Sequence, residues 1–520
     1  MRIAVAALAA VLLLPACDSG PASPEASPTA STPSGTATPS AVTTPSSTGA
    51  ASAAVVAAVA RYGKAKLDWD GCGEGFECAD LTVPLDYEAG GDTIEIAVIR
   101  LKARKKSRRI GSLVLNPGGP GGSGVEFARQ ARQLLPGEIL DRFDVVSFDP
   151  RGVGKSTPVD CLGDDELDRL LAADPSPDTP AEKARLFALN RDEAAKCGQR
   201  SGRLLPHLGT LDAAKDMDVL RTALGDAKLT YVGFSYGTIL GARYAQQFPD
   251  KIRALVLDGA VDPILTPRET AIAQAVGFER ALDAFFDDCV SQGCPFSKHG
   301  EIGKTYDDLM ARIDRDPLPA SNYPGREAGP SEALFGVAAG LYSRDYGWPV
   351  LRQALETAFA GDGSMLLALF DSLVERDESG HYSNSVEAQA AVSCVDGVFP
   401  DDPKAYDADA AQFERQAPRF GRALAYGPVV CAYWPVPPVS RPGVIRVENA
   451  PPIVVVGTTR DPATPYDWAE SLADQLPGVL VTYDGDGHTA YGFGRSSCVN
   501  RVVDAYLISL TVPKAGTRCT

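Results

Sequence analysis

Apolar runs of the kind that form buried parallel strands recur along the chain and alternate with helical patterns. Five such runs are present: SLVLN, FDVVSFD, LTYVGFS, IRALVLDG and PPIVVVGTT. Between several of them lie segments with apolar positions at helical spacing: VEFARQARQLL, DAAKDMDVLRTAL and TILGARYAQQF. A strand that is covered on both faces reads as a continuous apolar run. The alternation therefore predicts βαβ units and an α/β fold, with a mostly parallel central sheet flanked by helices.

Two other segments show strand patterns of a different type. LTVPLDY and TIEIAVIRLKA, which precede the buried runs, alternate apolar and polar residues. This alternation is typical of a half-exposed antiparallel pair. We therefore expect such a pair where the chain enters the sheet.

The strand–helix alternation stops near Pro263 and resumes at about Ala450. Between these points the chain is rich in helical patterns and is broken by Pro and Gly. This predicts one sheet in two parts, residues 59–264 and 446–520, with a helical cap inserted at residues 265–445. Such a cap would cover the carboxyl ends of the strands, where open α/β sheets bind ligands.

The amino terminus indicates export. Residues 1–17 contain one Arg and then an apolar run, which is shorter than the roughly 20 residues that span a bilayer and is typical of a signal peptide. Its end, LPAC, resembles a bacterial lipobox with Cys17 as the lipidated residue; ordinary signal-peptidase cleavage is the alternative. Residues 18–58, almost wholly Ser, Thr, Pro, Ala and Gly in their first part, are predicted to be a disordered tether.

The formal net charge is −17, from 50 Lys and Arg against 67 Asp and Glu. A field of this sign argues against nucleic acid or an anionic membrane surface as a partner. Membrane attachment is therefore expected only through an N-terminal lipid. The sequence does not indicate an oligomeric state.

Apart from Cys17, the cysteines form an even set, which indicates disulfides in an oxidising compartment. Sequence alone does not determine their pairing, but successive pairs would close two short loops. No cysteine or histidine cluster has the spacing of a zinc site, so no metal is expected. The ten candidates are Cys72, Cys78, Cys161, Cys197, Cys289, Cys294, Cys394, Cys431, Cys498 and Cys519.

The segment GFSYG at residues 233–237 is the only G-x-S-x-G in the sequence. It follows the strand pattern LTYV and precedes the helical pattern TILGARYA, which is the setting of a nucleophile elbow. Glycines on either side avoid clashes between side chains and neighbouring backbone. Ser235 is therefore the candidate nucleophile.

A serine nucleophile needs a base, and the chain has four histidines. In this type of hydrolase the chain order is serine, acid, histidine. His207 precedes the serine, whereas His299 and His381 lie in the predicted cap. His488, in the Gly-rich segment DGDGHT, is the candidate base.

The base in turn needs an acid that orients it and stabilises its charged form. Asp461 ends the strand pattern IVVVGTTRD, where a carboxylate would face the histidine. Asp484 and Asp486 are alternatives, but they lie on the same loop as His488. Asp461 is therefore the candidate acid.

A glycine-rich stretch, NPGGPGGSG at residues 116–124, follows the strand SLVLN. Its glycines would let backbone N–H groups approach a developing oxyanion, with the N–H of Tyr236 as the second donor.

The same stretch contains a rival motif. Gly119, Gly121 and Gly124 satisfy G-x-G-x-x-G, and Asp144 lies where a ribose-binding acid of a dinucleotide site is expected. An exported protein meets little dinucleotide, and this reading leaves the predicted triad unexplained, so no cofactor is predicted.

Taken in order, NPGGPGGSG, DPRGVGKS, GFSYG, RDPATP and GDGH resemble the actinobacterial tripeptidyl aminopeptidases and their mycobacterial cell-envelope relatives, which are related to proline iminopeptidases. The resemblance runs from about Leu67 to the C-terminus and implies the α/β-hydrolase fold. It places nucleophile, acid and base on Ser235, Asp461 and His488, and the oxyanion glycine on Gly119. The related iminopeptidases have His before the glycine run, where this sequence has Pro117.

The resemblance also implies an exopeptidase that acts on peptides with a free N-terminus, probing them with a carboxylate that pairs with the substrate ammonium. Asp396, close to Cys394, is the first candidate, with a solvent-facing or helix-capping role as its alternative; Glu126, just after the glycine-rich stretch, is the second candidate. Two other functions stay open: a carboxylesterase or amidase, and a lipid-anchored binding protein on an inactive hydrolase scaffold. The intact Ser, Asp and His set argues against the latter.

Overall fold

The computed structural model describes residues 49–520. The predicted signal peptide, the predicted lipidation site Cys17 and most of the predicted tether lie outside the described residues.

The described chain contains one ten-stranded sheet with the order β1-β2-β3-β5-β4-β6-β7-β10-β11-β12. From β5 to β12 neighbouring strands are parallel, whereas β1, β2 and β3 pair antiparallel and β3 lies antiparallel to β5. Two further strands, β8 and β9, form a small antiparallel pair in the cap. The strands are β1 (Asp70–Gly71), β2 (Phe76–Pro84), β3 (Thr93–Leu101), β4 (Gly111–Asn116), β5 (Phe143–Phe148), β6 (Leu229–Phe234), β7 (Ile252–Asp258), β8 (Leu318–Pro319), β9 (Glu327–Ala328), β10 (Ile453–Arg460), β11 (Gly478–Asp486) and β12 (Thr517–Cys519).

The predicted α/β fold with a mostly parallel sheet is confirmed. The five apolar runs are β4, β5, β6, β7 and β10, and every residue of β4, β5 and β6 is buried. The predicted antiparallel pair is β2 and β3, with Leu81 opposite Ile96. Helices cover both faces of the sheet, which is why the central strands are apolar at successive positions.

The helices of the two sheet-forming parts are α1 (Ala53–Tyr62), α2 (Gly124–Ala128), α3 (Ala131–Leu134), α4 (Gly137–Arg142), α5 (Asp164–Leu171), α6 (Pro180–Ser201), α7 (Thr210–Ala223), α8 (Tyr236–Gln247), α17 (Tyr466–Gln475) and α18 (Ser497–Ser509). Between β7 and β10 lie α9 (Pro267–Gln292), α10 (Ile302–Arg315), α11 (Pro330–Leu341), α12 (Gly347–Phe359), α13 (Ser364–Leu373), α14 (Ser385–Asp396), α15 (Ala405–Gln416) and α16 (Gly421–Tyr426). Short 3₁₀ helices occupy Lys106–Arg108, Leu205–His207, Pro249–Lys251, Pro295–His299 and Gly427–Tyr433.

The end of the predicted tether is ordered, which corrects the expectation for residues 53–58. These residues begin α1, whose first turn is capped by the side chain of Ser52. Val55 and Val59 are buried in the main core against α7. An alanine-rich helix needs only a few apolar residues on one face to dock, and the composition of the preceding tether hides them.

A second difference concerns α5 and α6, which lie in the segment assigned to the sheet. They pack against the cap instead: Phe187 on α6 lies 6.0 Å from the ring of Tyr426 on α16, and Lys183 pairs with Asp407 on α15. The layer above the carboxyl ends of the strands is therefore built from two chain segments.

The ten cysteines form five disulfides in successive order: Cys72–Cys78, Cys161–Cys197, Cys289–Cys294, Cys394–Cys431 and Cys498–Cys519. Disulfides of this number are typical of proteins outside the cytoplasm. Within residues 49–520, no helix has the length and apolar character that a membrane span requires.

Candidate active site

Ser235 lies between β6 and α8 in a left-handed conformation, with φ 55° and ψ −126°. Its N–H donates to the carbonyl of Asp258, the last residue of β7, at 2.9 Å. A side chain on Gly233, two residues before the serine, would come within 2.2 Å of the carbonyl of Gly237. The turn thus needs glycine at this position, as a nucleophile elbow does.

His488 and Asp461 are adjacent and buried. Both carboxylate oxygens of Asp461 lie 2.9 Å from Nδ1 of His488. The N–H groups of Ala463 and Thr464 donate to the same carboxylate at 2.9 and 2.8 Å. These bonds fix the carboxylate of Asp461 against the imidazole, which leaves Nε2 as the nitrogen that can accept a proton.

The hydroxyl of Ser235 and Nε2 of His488 are both buried, and neither has a hydrogen-bond partner within residues 49–520. Gly259 links their surroundings: it follows Asp258, and a side chain built on it would lie 3.0 Å from Cε1 of His488. The Oγ of the serine and the Nε2 of the histidine are the two atoms between which a hydrolase of this type moves a proton. Such bonds often tighten only when substrate is bound.

The alternative acids and bases lie elsewhere. Asp484 and Asp486 pair with Arg460, and Asp486 also pairs with Arg344. Their carboxylates therefore serve surface ion pairs.

The other histidines have different surroundings. The carbonyl of His207 accepts a hydrogen bond from the buried Arg151 at 2.9 Å, and His381 is exposed beside Asp164. The side chain of His299 is outside the described part of the chain.

Asp258 is a further buried carboxylate at the site that the sequence did not point to. It accepts hydrogen bonds from the N–H groups of Ala490 and Tyr491, just after His488. Burial raises the pKa of Asp258 to about 6. Its position at the end of the predicted strand IRALVLDG was the available signal, but its partners are more than 230 residues away.

The cap also contributes to the histidine loop. The N–H of His488 donates to the carbonyl of Tyr342 at 2.8 Å, and the ring of Tyr342 meets the imidazole edge-on at 5.4 Å. No local pattern in the sequence indicates this contact, because it joins the cap to the C-terminal part.

The glycine-rich stretch approaches the elbow as an oxyanion loop requires. A side chain on Gly118 would lie 2.4 Å from the carbonyl of Phe234 and 3.0 Å from the nitrogen of Tyr236. The side chain of Asn116 accepts the N–H of Gly118 at 3.0 Å. Within residues 49–520 the N–H of Gly119 makes no loop or turn hydrogen bond, and Tyr236 begins α8, where a first-turn N–H has no partner inside the helix.

The rival dinucleotide motif is packed against protein. A side chain on Gly121 would come within 2.3 Å of the carbonyl of Ser385, and one on Gly124 within 2.1 Å of the carbonyl of Phe148. Asp144 lies at the amino end of β5, where it accepts from the backbone of Ala103 and pairs with Arg109. The loop and the acid therefore do not face one ligand.

A cavity of about 110 Å³ adjoins Ser235. Its walls include Gly119, Ser235, Tyr236, Thr210, Arg243 and Asp396. The carboxylate of Asp396 accepts both the N–H and the hydroxyl of Thr210, and that hydroxyl lies 2.5 Å from the hydroxyl of Tyr236. Burial raises the pKa of Asp396 to about 6.

Glu126 does not line this cavity, which corrects its place among the candidates for binding a substrate ammonium. It is an exposed residue in the first turn of α2, where it pairs with Arg129. An acidic residue is favourable there because it meets the positive end of the helix dipole.

Two family models match the sequence. The one described as "TAP-like protein" matches residues 417–519, which contain Asp461 and His488. The one described as "alpha/beta hydrolase fold" matches residues 111–297, which contain Ser235.

Curated relatives match over most of the chain. Serine protease Hip1 of Mycobacterium tuberculosis is 39% identical over 497 residues, which cover 89% of this chain and 94% of the relative. Carboxylesterase B of Mycobacterium tuberculosis is 37% identical, with 85% and 86% covered. Tripeptidyl aminopeptidase of Streptomyces coelicolor is 33% identical, with 87% and 85% covered.

Proposed function

Because these similarities extend over most of its length, the chain belongs to the α/β-hydrolase-fold family that includes serine protease Hip1 and tripeptidyl aminopeptidase, and we propose that it is an exported serine exopeptidase. Its substrates would be peptides with a free N-terminus, from which it releases short peptides, most simply tripeptides. The observation that carries the proposal is the buried Asp461–His488 pair near Ser235, whose backbone is strained and whose hydroxyl has no hydrogen-bond partner among residues 49–520.

The proposed reaction runs through an acyl-enzyme. The Oγ of Ser235 attacks the scissile carbonyl carbon, and Nε2 of His488 takes the hydroxyl proton. The N–H groups of Gly119 and Tyr236 hold the oxyanion. When the C–N bond breaks, His488 returns the proton to the leaving amine, and a water molecule then hydrolyses the ester by the same steps.

Two small cavities beneath the cap support a preference for short acyl groups. One is the 110 Å³ cavity beside Ser235, and the other is a cavity of about 170 Å³ that also has Pro120 of the oxyanion loop in its wall. A substrate with more residues before the scissile bond than these cavities can hold would have to displace cap helices.

The decisive experiment compares a tripeptidyl p-nitroanilide that has a free N-terminus with its N-acetylated form. We expect rapid release of nitroaniline from the free peptide and at least about 100-fold lower kcat/KM for the acetylated one, because the acetyl group removes the charge that the site recognises. Ser235→Ala should abolish both turnover and labelling by a fluorophosphonate probe.

Two outcomes would overturn the proposal. Equal cleavage of both peptides would favour the esterase or amidase alternative, which is supported by the similarity to carboxylesterase B. Failure of the probe to label the wild-type serine would favour an inactive scaffold.

For localisation, we propose that the enzyme is held at the cell envelope by acylation of Cys17. The lipobox-like end of the leader and the five disulfides support this. In cells, Cys17→Ala should move the protein from the membrane fraction to the soluble one. An unchanged distribution would show that the enzyme is not anchored through this residue.

A further inference from the structure

The second cavity lies between α6 and the cap. Its 170 Å³ are enclosed by side chains of α5 and α6 on one side and of α11, α13, α14 and α16 on the other. Its walls are mainly apolar, with Leu186, Phe335 and Phe370 among them. Pro120 of the oxyanion loop lines both cavities, so a peptide esterified to Ser235 would extend its N-terminal residues past this loop to reach the second cavity.

Glu193 is the one charged residue among the described residues that line this cavity. Its side chain projects from the inner face of α6, one turn after Asn190, and only 3% of the residue is exposed. Within residues 49–520 it has neither a hydrogen bond nor an ion pair. The charge that affects it is another carboxylate, Glu387 on α14, which itself accepts two backbone N–H groups.

This isolation sets Glu193 apart from other buried carboxylates of the protein. Asp258 and Asp461 each accept backbone N–H groups, and Asp216 pairs with Arg151. An unpaired carboxylate in an apolar site is costly, since it has lost water and gained nothing in return. Protonation relieves this cost in the free protein, and a cation that arrives with a ligand would supply the partner that stabilises the charged form.

The walls around Glu193 are braced covalently. Cys197, one helical turn further along α6, is joined to Cys161. Cys394 on α14 is joined to Cys431, beside the lining residue Val430. A site that recognises a small charged group needs rigid walls, because a loose wall would let water solvate the charge.

We propose that Glu193 receives the N-terminal ammonium of the peptide substrate, with the 170 Å³ cavity enclosing the residues next to it. This assignment rests on the proposed exopeptidase function and names the group that makes it specific for free N-termini. The fixed place of Glu193 relative to Ser235 would then set how many residues fit between ammonium and scissile bond, at no more than about 3.3–3.6 Å for each extended residue.

Burial and the nearby Glu387 raise the pKa of Glu193 to about 8, so the free enzyme holds it protonated near neutral pH. An arriving ammonium favours the carboxylate, and the carboxyl proton leaves to solvent as the ion pair forms. An acetylated N-terminus brings no charge and would leave Glu193 neutral.

Asp396 is the rival carboxylate. It faces the first cavity, where Thr210 donates to it twice and Arg243 supplies a positive charge. Its hydrogen bonds connect it to the hydroxyl of Tyr236 through Thr210, so we assign it the role of fixing the wall beside the nucleophile.

The test is Glu193→Gln, with Asp192→Asn as the matched control on the exposed side of the same helix. For the free tripeptide anilide we expect Glu193→Gln to lower kcat/KM about 100-fold, the scale of losing one partner of a buried charge pair. For p-nitrophenyl acetate, which has no ammonium, Glu193→Gln should keep wild-type turnover, and this also shows that the variant is folded. Asp192→Asn should match wild type on both substrates.

A second measurement needs no change at Glu193. Binding of the free tripeptide anilide to Ser235→Ala, followed by calorimetry in two buffers of different ionisation enthalpy, should release close to one proton near pH 7. The acetylated peptide should release none.

The outcomes separate the two proposals. Wild-type indifference to acetylation would overturn the exopeptidase function itself. Wild-type discrimination that persists in Glu193→Gln, that is lost in Asp396→Asn instead, or that occurs without proton release would leave the function standing and overturn the role of Glu193.

Discussion

At the scale of residues, the candidate site depends on a strained backbone conformation at Ser235 and on the hydrogen bonds that maintain it. Ser235 has a positive φ, which costs a non-glycine residue of order 1–3 kcal/mol unless the surroundings enforce it. Its N–H bond to Asp258 and the close glycines supply that enforcement. Asp258 also binds the backbone after His488, so one residue at the carboxyl end of a strand holds both Ser235 and the loop of His488.

The orienting role that we propose for Asp461 leads to a prediction. In Asp461→Asn the amide can donate a hydrogen bond to Nδ1 of His488, which would place the proton on Nε2 and block it as a base. We therefore expect kcat to fall about 10⁴-fold for both peptide and ester, with little change in KM. Steady-state kinetics of the purified variant measures this.

Asp484→Asn is the control, because this exposed acid pairs with Arg460 on the neighbouring strand end. It should alter kcat by less than about two-fold, as a surface ion pair contributes little. If Asp484→Asn were the more damaging change, the assignment of the acid would be wrong.

Individual residues of the candidate site were easiest to predict where a short sequence pattern marks a reactive position. The elbow pattern pointed to Ser235, and the structure places Asp461, at the end of its strand, beside His488. Asp258 and Tyr342 were missed because their contacts with the histidine loop join distant parts of the chain. Glu193, which we propose as a further site residue, was not singled out for the same reason: the pattern of its helix does not show that the cap covers it.

At the scale of elements, strands that are covered on both faces were the most predictable. β4 to β7 and β10 are uninterrupted apolar runs because helices lie on both sides of them. β11 and the three-residue β12 lie towards the sheet edge and lack such a run, so they were not predicted. The docking of α5 and α6 on the cap depends on tertiary packing, which the spacing of apolar residues along a helix does not reveal.

The helix α1 gives an element-scale prediction with an internal control. Val55 is 1% exposed and packs in the main core, whereas the next residue, Val56, is 54% exposed. Val55→Asp should lower the free energy of unfolding by more than about 3 kcal/mol, because it buries a charge without a partner. Val56→Asp has the same helix propensity cost and should stay within about 0.5 kcal/mol of wild type.

Urea unfolding of the two variants measures this difference. Equal stability would mean that α1 does not dock on α7, and that the predicted tether extends to residue 58 after all.

At the scale of the whole molecule, the cap and the sheet enclose several carboxyl groups whose pKa is raised by burial. The pKa is raised to about 8 in Glu193 and to about 6 in Asp258, Asp396 and Glu387. A carboxyl whose pKa is higher in the folded than in the unfolded chain binds its proton more tightly when folded. It therefore stabilises the fold at low pH and loses that contribution as pH rises through the folded pKa.

Partly buried carboxylates with cationic partners, such as Glu77, act in the opposite sense. Hydrogen bonds from Lys102 and Arg100 lower the pKa of Glu77, so its contribution is present above its unfolded pKa and is lost in acid. The two groups together predict a stability maximum at mildly acidic pH, and a decline towards pH 8 that follows the buried carboxyls.

Glu193 should dominate the upper part of that decline, since its pKa lies near 8 against about 4.5 in the unfolded chain. Between these values each pH unit removes at most about 1.4 kcal/mol of stability. Calorimetric melting of Glu193→Gln should thus match wild type near pH 4.5 and exceed it by a growing margin up to pH 8, while Asp192→Asn follows wild type throughout. A Glu193→Gln curve parallel to wild type would mean that the carboxyl already has a partner in the free protein, and a site with its charge already paired would have no need of a substrate ammonium.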